Sequence, residues 1–163
     1  MRLIFTLILS ALLFNSCGNP PPQFSAAIHN VNIIDLETGE ILKDQSVFIA
    51  GDTIHSIIKS KDLLTSSAAQ QIDGSGKYLM TGLWDNHVHF RGGKELTEEN
   101  KKLLNLFIAN GITTVRDADG DLTTAIKEWQ KQIADGNLVG PTIYTSGPKI
   151  DGPGATWAGS LEV

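Results

Sequence analysis

The apolar positions change rhythm twice along the chain. A predominantly apolar run from Leu3 to Phe14, interrupted by Thr6 and Ser10, follows the positive charge of Arg2 and gives way to Asn15, Ser16 and Cys17. A charged start, an apolar middle too short to cross a bilayer and a small residue at the break predict a secretory leader over residues 1–16. From Ala27 to Asp73 the apolar residues come in short bursts. Ile28, Val31, Ile33 and Ile34 predict one strand, and Val47 to Ala50 and Thr53 to Ile58 predict a pair joined by Gly51-Asp52, a two-residue hairpin connection. The polar, Ala/Ser-rich run from Lys59 to Gln71 predicts a loop with at most one helical turn, and Gly74 and Gly76 punctuate the chain before a strand at Tyr78. Residues 27–77 therefore read as a small antiparallel β unit.

After Tyr78 the spacing becomes helical between short apolar runs. Thr97 is the expected N-cap of a helix whose first turn carries Glu98 and Glu99, whose apolar face is Leu103, Leu104, Phe107 and Ile108, and whose stop is Gly111. A strand follows at Ile112 to Asp117. Leu122, Ala125, Ile126, Trp129 and Ile133 then predict a second helix ended by Gly136, and Thr142 to Thr145 a third strand. The order β-α-β-α-β, with crossovers long enough for parallel pairing, begins a doubly wound sheet or a TIM barrel.

Composition narrows the function classes. The net charge is −5, with Lys and Arg scattered, which excludes a nucleic-acid groove and favours a small-molecule partner. Cys17 is the only cysteine, so disulfides within the chain and cysteine-based zinc patterns are excluded. Its position at the end of the leader resembles a bacterial lipoprotein box, although Phe14 stands where such boxes prefer Leu. This resemblance implies lipidation of Cys17, a tether over 17–26, and a membrane-anchored protein of the bacterial cell envelope.

The candidate chemistry lies in Met80 to Phe90, MTGLWDNHVHF. By strand alternation Asp85, His87, His89 and Arg91 share one face, with neighbours about 6.7 Å apart along the backbone. Two imidazoles so placed can lean toward one zinc-like ion. An isolated His-x-His is more often a hydrogen-bonded strand end. Here, however, the pair closes the first strand of an alternating β/α region, where barrel enzymes keep their chemistry.

The stretch Thr81-Gly82-Leu83-Trp84-Asp85-Asn86-His87-Val88-His89 resembles the first barrel strand of the amidohydrolase superfamily, with Thr81 in place of proline and Trp84 in place of isoleucine. Gly111-Ile112-Thr113-Thr114-Val115-Arg116-Asp117 is similar to a stretch of its imidazolonepropionase-like and prolidase-like branch. The resemblance covers the chain from about Ala27 onward. It implies an α/β fold: the first three strands of a TIM (β/α)8 barrel over 78–163, preceded by a small antiparallel β-sandwich unit. It further implies His87 and His89 as ligands of zinc or another divalent metal, one or two ions in the full-length protein, and Asp85 as the residue that orients them. By resemblance to dihydroorotase-like members Arg91 would hold a substrate carboxylate; the competing reading is a loop arginine in solvent or paired with a glutamate. The activity implied is hydrolysis of a C–N bond, in a cyclic amide or dipeptide-like substrate, by a metal-activated water. A barrel of this kind needs about 250 residues, so the chain is expected to be an N-terminal fragment whose proton-shuttling aspartate and further ligands lie elsewhere. The competing expectation is a non-catalytic lipoprotein acting as a binding or scaffold module.

Other signals carry less. His29 and His55 have no spaced partner, Arg116 and Asp117 read equally as an ion pair or as barrel-mouth residues, and Lys149 has no assigned role. Asp117 to Asp121 superficially resembles a calcium loop, but Leu122 stands where that loop needs glycine.

Overall fold

A computed structural model of the chain describes residues 24–62, 67–118, 120–157 and 160–163. The leader and Cys17 lie outside the described residues. The chain divides after Met80 into two units.

The first unit is a five-stranded sheet built from β1 (Phe24–Ile34), β2 (Ile41–Ala50), β3 (Thr53–Lys59), β4 (Ala68–Asp73) and β5 (Tyr78–Leu79). The hairpin stands where Gly51-Asp52 places it. Ala50 pairs with Thr53 across the turn, and Gly51 takes φ 63°, a conformation that costs a residue without a Cβ little. β2 begins earlier than the apolar pattern suggests because the turn before it is closed by Asp35. Its carboxylate accepts the N–H groups of Thr38 (3.1 Å) and Glu37 (2.9 Å), and these two bonds hold it below the usual carboxylate range. Phe24, Ala27 and Phe48 form the buried cluster of this unit, with the two phenyl rings 4.9 Å apart.

Three expectations are corrected. The sheet is mixed: β1 pairs antiparallel with β2 but parallel with both β4 and β5. The segment Lys59–Gln71, read as a loop, contains the edge strand β4. Its residues Ala68 to Gln71 lack the branched side chains that mark a strand. Pairing along the free edge of β1, from Phe24↔Ala68 to His29↔Asp73, makes them one. The strand expected from Tyr78 is likewise two pieces, since Tyr78–Leu79 pairs with β1 and a separate strand starts at Leu83.

The second unit has the alternating order that its periodicity predicts. Strands β6 (Leu83–Val88), β7 (Ile112–Asp117) and β8 (Thr142–Thr145) pair in parallel in that order. Helix α1 (Thr97–Ala109) leads from β6 to β7, and α2 (Thr123–Ala134) leads from β7 to β8. The α1 boundary differs by one residue from the expectation. A 3-10 turn at Lys94–Leu96 runs straight into α1, so Leu96 is the cap and Thr97 the first helical residue. Gly111 and Gly136 end the helices at φ 76° and 72°. Leu104 of α1, Ile126 and Trp129 of α2, Val115 and Ile143 of the sheet, Leu122 and Phe90 make one core. Phe90 meets Trp129 and Phe107 edge to face at 5.7 and 6.2 Å. Two short strands, β9 (Ile150–Asp151) and β10 (Leu161–Glu162), pair in parallel beyond β8.

Candidate functional site

The rings of His87 and His89 turn to the same side. Their Nε2 atoms are 3.2 Å apart and their planes meet at 75°. Nitrogens about 2.1 Å from one ion at tetrahedral angles lie roughly 3.4 Å apart, so this separation suits two corners of a metal's coordination shell. Among the described residues no group of three His, Cys, Asp or Glu converges on one point. Catalytic zinc takes three protein ligands, so the described residues do not by themselves complete such a site.

Strict alternation does not hold along β6. Asp85 pairs with Val115 and Val88 with Asp117, so two residues of β6, Asn86 and His87, stand opposite Arg116 alone. This is a β-bulge, and bulges re-aim side chains next to sites. It breaks the strict period of two between Asp85 and His87. Asp85 acts through the backbone instead: its Oδ1 accepts the N–H of His87 at 3.1 Å.

The turn after β6 is fixed residue by residue. Asp117, fully buried at the end of β7, accepts the N–H of Phe90 on Oδ1 (3.0 Å). On Oδ2 it accepts the N–H of Gly120 (3.1 Å) and the hydroxyl of Thr145 (3.0 Å). This carboxylate ties together the C-terminal ends of β6, β7 and β8. Asn100 of α1 clamps Arg91 by accepting its N–H (3.3 Å) and donating to its carbonyl (2.9 Å). Asp121 accepts the N–H groups of Gly92 and Gly93 at 3.0 and 3.4 Å. His89 and Arg91 thus sit on a backbone held by three side chains from other elements, the pre-organisation a site requires. Neither Asp117 nor Asn100 is recognisable as a clamp from sequence, because their partners are backbone groups remote along the chain.

Trp157, unremarked in the sequence, joins this cluster. Its ring centroid is 6.2 Å from that of His89, with the Arg91 guanidinium carbon 5.4 Å and Lys149 Nζ 5.6 Å from it. Lys149 pairs with Asp151 at 3.0 Å. That bond, followed by the N–H of Gly152, holds the Asp151 carboxyl below its ordinary range. His29 and His55 belong to the first unit, where His29 bonds to Ser46 and Gln71 and His55 packs edge-on to Phe24.

No family model matches the chain. Among curated proteins it is 25% identical over 139 residues to adenine deaminase of a Ruegeria species, covering 84% of this chain and 22% of that protein. It is 32% identical over 111 residues to dihydroorotase of Carboxydothermus hydrogenoformans, covering 64% of this chain and 25% of the relative. A solved structure from Bifidobacterium longum, assigned as a prolidase, superposes with a TM-score of 0.72 at 24% identity, over 86% of this chain and 35% of its own. These curated and structural matches together indicate the amidohydrolase superfamily. The chain spans at most about a quarter of the length of the curated relatives it matches.

Proposed function

We propose that this chain contributes the first ligands of a divalent metal in an enzyme that hydrolyses a C–N bond of a cyclic amide or dipeptide-like substrate. The observation that carries the proposal is the converging nitrogen pair of His87 and His89 at the C-terminal end of a parallel strand. Its relatives, hydrolases that act on C–N bonds, support the reaction class. His87 and His89 would hold a divalent ion, which would supply an activated water and polarise the carbonyl of the substrate. His87 and His89 provide lone pairs, Asp85 fixes the backbone at His87, and Arg91 receives a substrate carboxylate.

The sheet supports a larger barrel. Parallel sheets are ordinarily covered on both faces, yet here only the face carrying Val115 and Ile143 is buried. Trp84 and Tyr144, stacked on one another at 5.8 Å, remain more than half exposed. β6, β7 and β8 then represent the first three strands of a TIM barrel, with the remaining ligands and the proton shuttle on later strands. The proposal also includes lipidation at Cys17 and an envelope location. Cys17→Ser is expected to move the protein from the membrane fraction to the soluble one, and unchanged fractionation would refute the anchor.

Equilibrium zinc uptake by the metal-free chain tests the centre. His87→Ala and His89→Ala are each expected to weaken uptake by about tenfold or more. Equal uptake by the wild type and the double variant would refute it.

A further inference from the structure

We propose that the cleft between α1 and α2 binds a free amino acid with an apolar side chain, in its zwitterionic form. The lining of this cleft includes neither His87 nor His89, so the site is distinct from the histidine pair and stands whatever that pair does.

Helical spacing builds the walls. Lys94, Glu98 and Lys101 recur at i, i+4 and i+7 along the α1 side, Lys94 belonging to the 3-10 turn that runs into the helix. Asp121 stands just before α2, and Thr124, Glu128 and Gln132 follow it at the same spacing on the facing side. From Thr124 to Gln132 that wall rises about 12 Å. Leu122 and Trp129, both buried in the core, give the cleft an apolar floor. It encloses about 400 Å³, within the range of small-ligand sites.

Charge decides the occupant. The α1 wall carries two ammonium groups and one carboxylate, whereas the α2 wall carries two carboxylates and no cation. Among the described residues none of these five groups is in an ion pair; the pairs there are Lys131–Asp135 and Lys149–Asp151. Walls of opposite net charge therefore face one gap without neutralising each other. A ligand with a single charge would engage one wall and leave the other unmatched. A zwitterion engages both: its ammonium donates to Glu128 and Asp121, its carboxylate accepts from Lys94 and Lys101, and its side chain covers Leu122 and Trp129. Asp121 is already fixed, because its Oδ2 accepts the N–H groups of Gly92 and Gly93. Its Oδ1 is buried and has no hydrogen-bond partner among the described residues. An acceptor left unmatched there is costly, and a donor arriving through the cleft relieves that cost.

Ligand-observed NMR titration of the full chain without added metal tests this with leucine, with N-acetylleucine, which lacks the ammonium, and with leucinamide, which lacks the carboxylate. Leucine is expected to bind with a dissociation constant of about 1 mM or below. Each blocked derivative should bind at least about tenfold more weakly. Lys101→Gln and Glu128→Gln, on facing walls and outside the core, should each weaken leucine by about threefold. Failure of leucine to bind, a derivative that binds as well as leucine, or unchanged binding by either variant would overturn the proposal. His87→Ala should bind leucine as the wild type does; loss of binding in that variant would put the ligand at the histidine pair and overturn the cleft assignment.

Discussion

Asp117→Ala is expected to destabilise the second unit by about 3–5 kcal/mol, since it leaves two buried donors and one half-buried donor without an acceptor at roughly 1–3 kcal/mol each, less some relaxation. The donors are the N–H of Phe90, the N–H of Gly120 and the hydroxyl of Thr145. Asp117→Asn should lose less, because its carbonyl oxygen still accepts, but the amide turns a donor toward donors. Urea unfolding followed by tryptophan fluorescence isolates the effect. All three tryptophans, Trp84, Trp129 and Trp157, lie in the second unit. A midpoint for Asp117→Ala equal to that of the wild type would show that the carboxylate is not the tie between the strand ends. The same change should loosen the backbone at Phe90, immediately after His89, and so weaken zinc uptake as well.

Trp129→Ala is expected to cost about 3–5 kcal/mol, the range for emptying a large aromatic site in a packed core. Trp129 is 3% exposed and meets Phe90 edge to face. Phe90 is anchored on one side by that ring and on the other by Asp117, so the cavity opens beneath the residue that follows the histidine pair. Trp129→Phe should retain most of the stability, because Phe90 keeps an aromatic neighbour. The check is the urea midpoint read from the remaining tryptophans. A loss below about 1 kcal/mol, the scale of a surface substitution, would place the core elsewhere.

Where local chemistry alone decides the structure, the sequence was sufficient. Gly51-Asp52 marks the hairpin because a two-residue turn needs a residue that tolerates positive φ. The faces of α1 and α2 follow from 3.6-residue spacing, although Leu103 lies at the exposed margin and Leu104 at the buried centre. Where pairing decides, the sequence was silent. β4 is a strand because β1 offers it an edge, and its alanines and glutamines carry no strand signal of their own. The bulge at Asn86-His87 depends on register with β7, which periodicity cannot supply, so Asp85 was placed on the wrong footing. Its carboxylate meets the backbone of His87 rather than lining the same face by alternation. The histidine pair was legible because its two members stand two residues apart at the end of one strand. Trp157 was not, because its proximity to His89 and Arg91 arises from the β9–β10 closure.

The most direct test of the proposed metal centre is zinc titration of the metal-free chain with the ring nitrogens of all four histidines followed by NMR. The chain carries its own controls in His29 and His55. The structure predicts that the Nε2 resonances of His87 and His89 shift together in one saturable step while those of His29 and His55 stay in place. Shifts at His87 and His89 no larger than at the two control residues would contradict it.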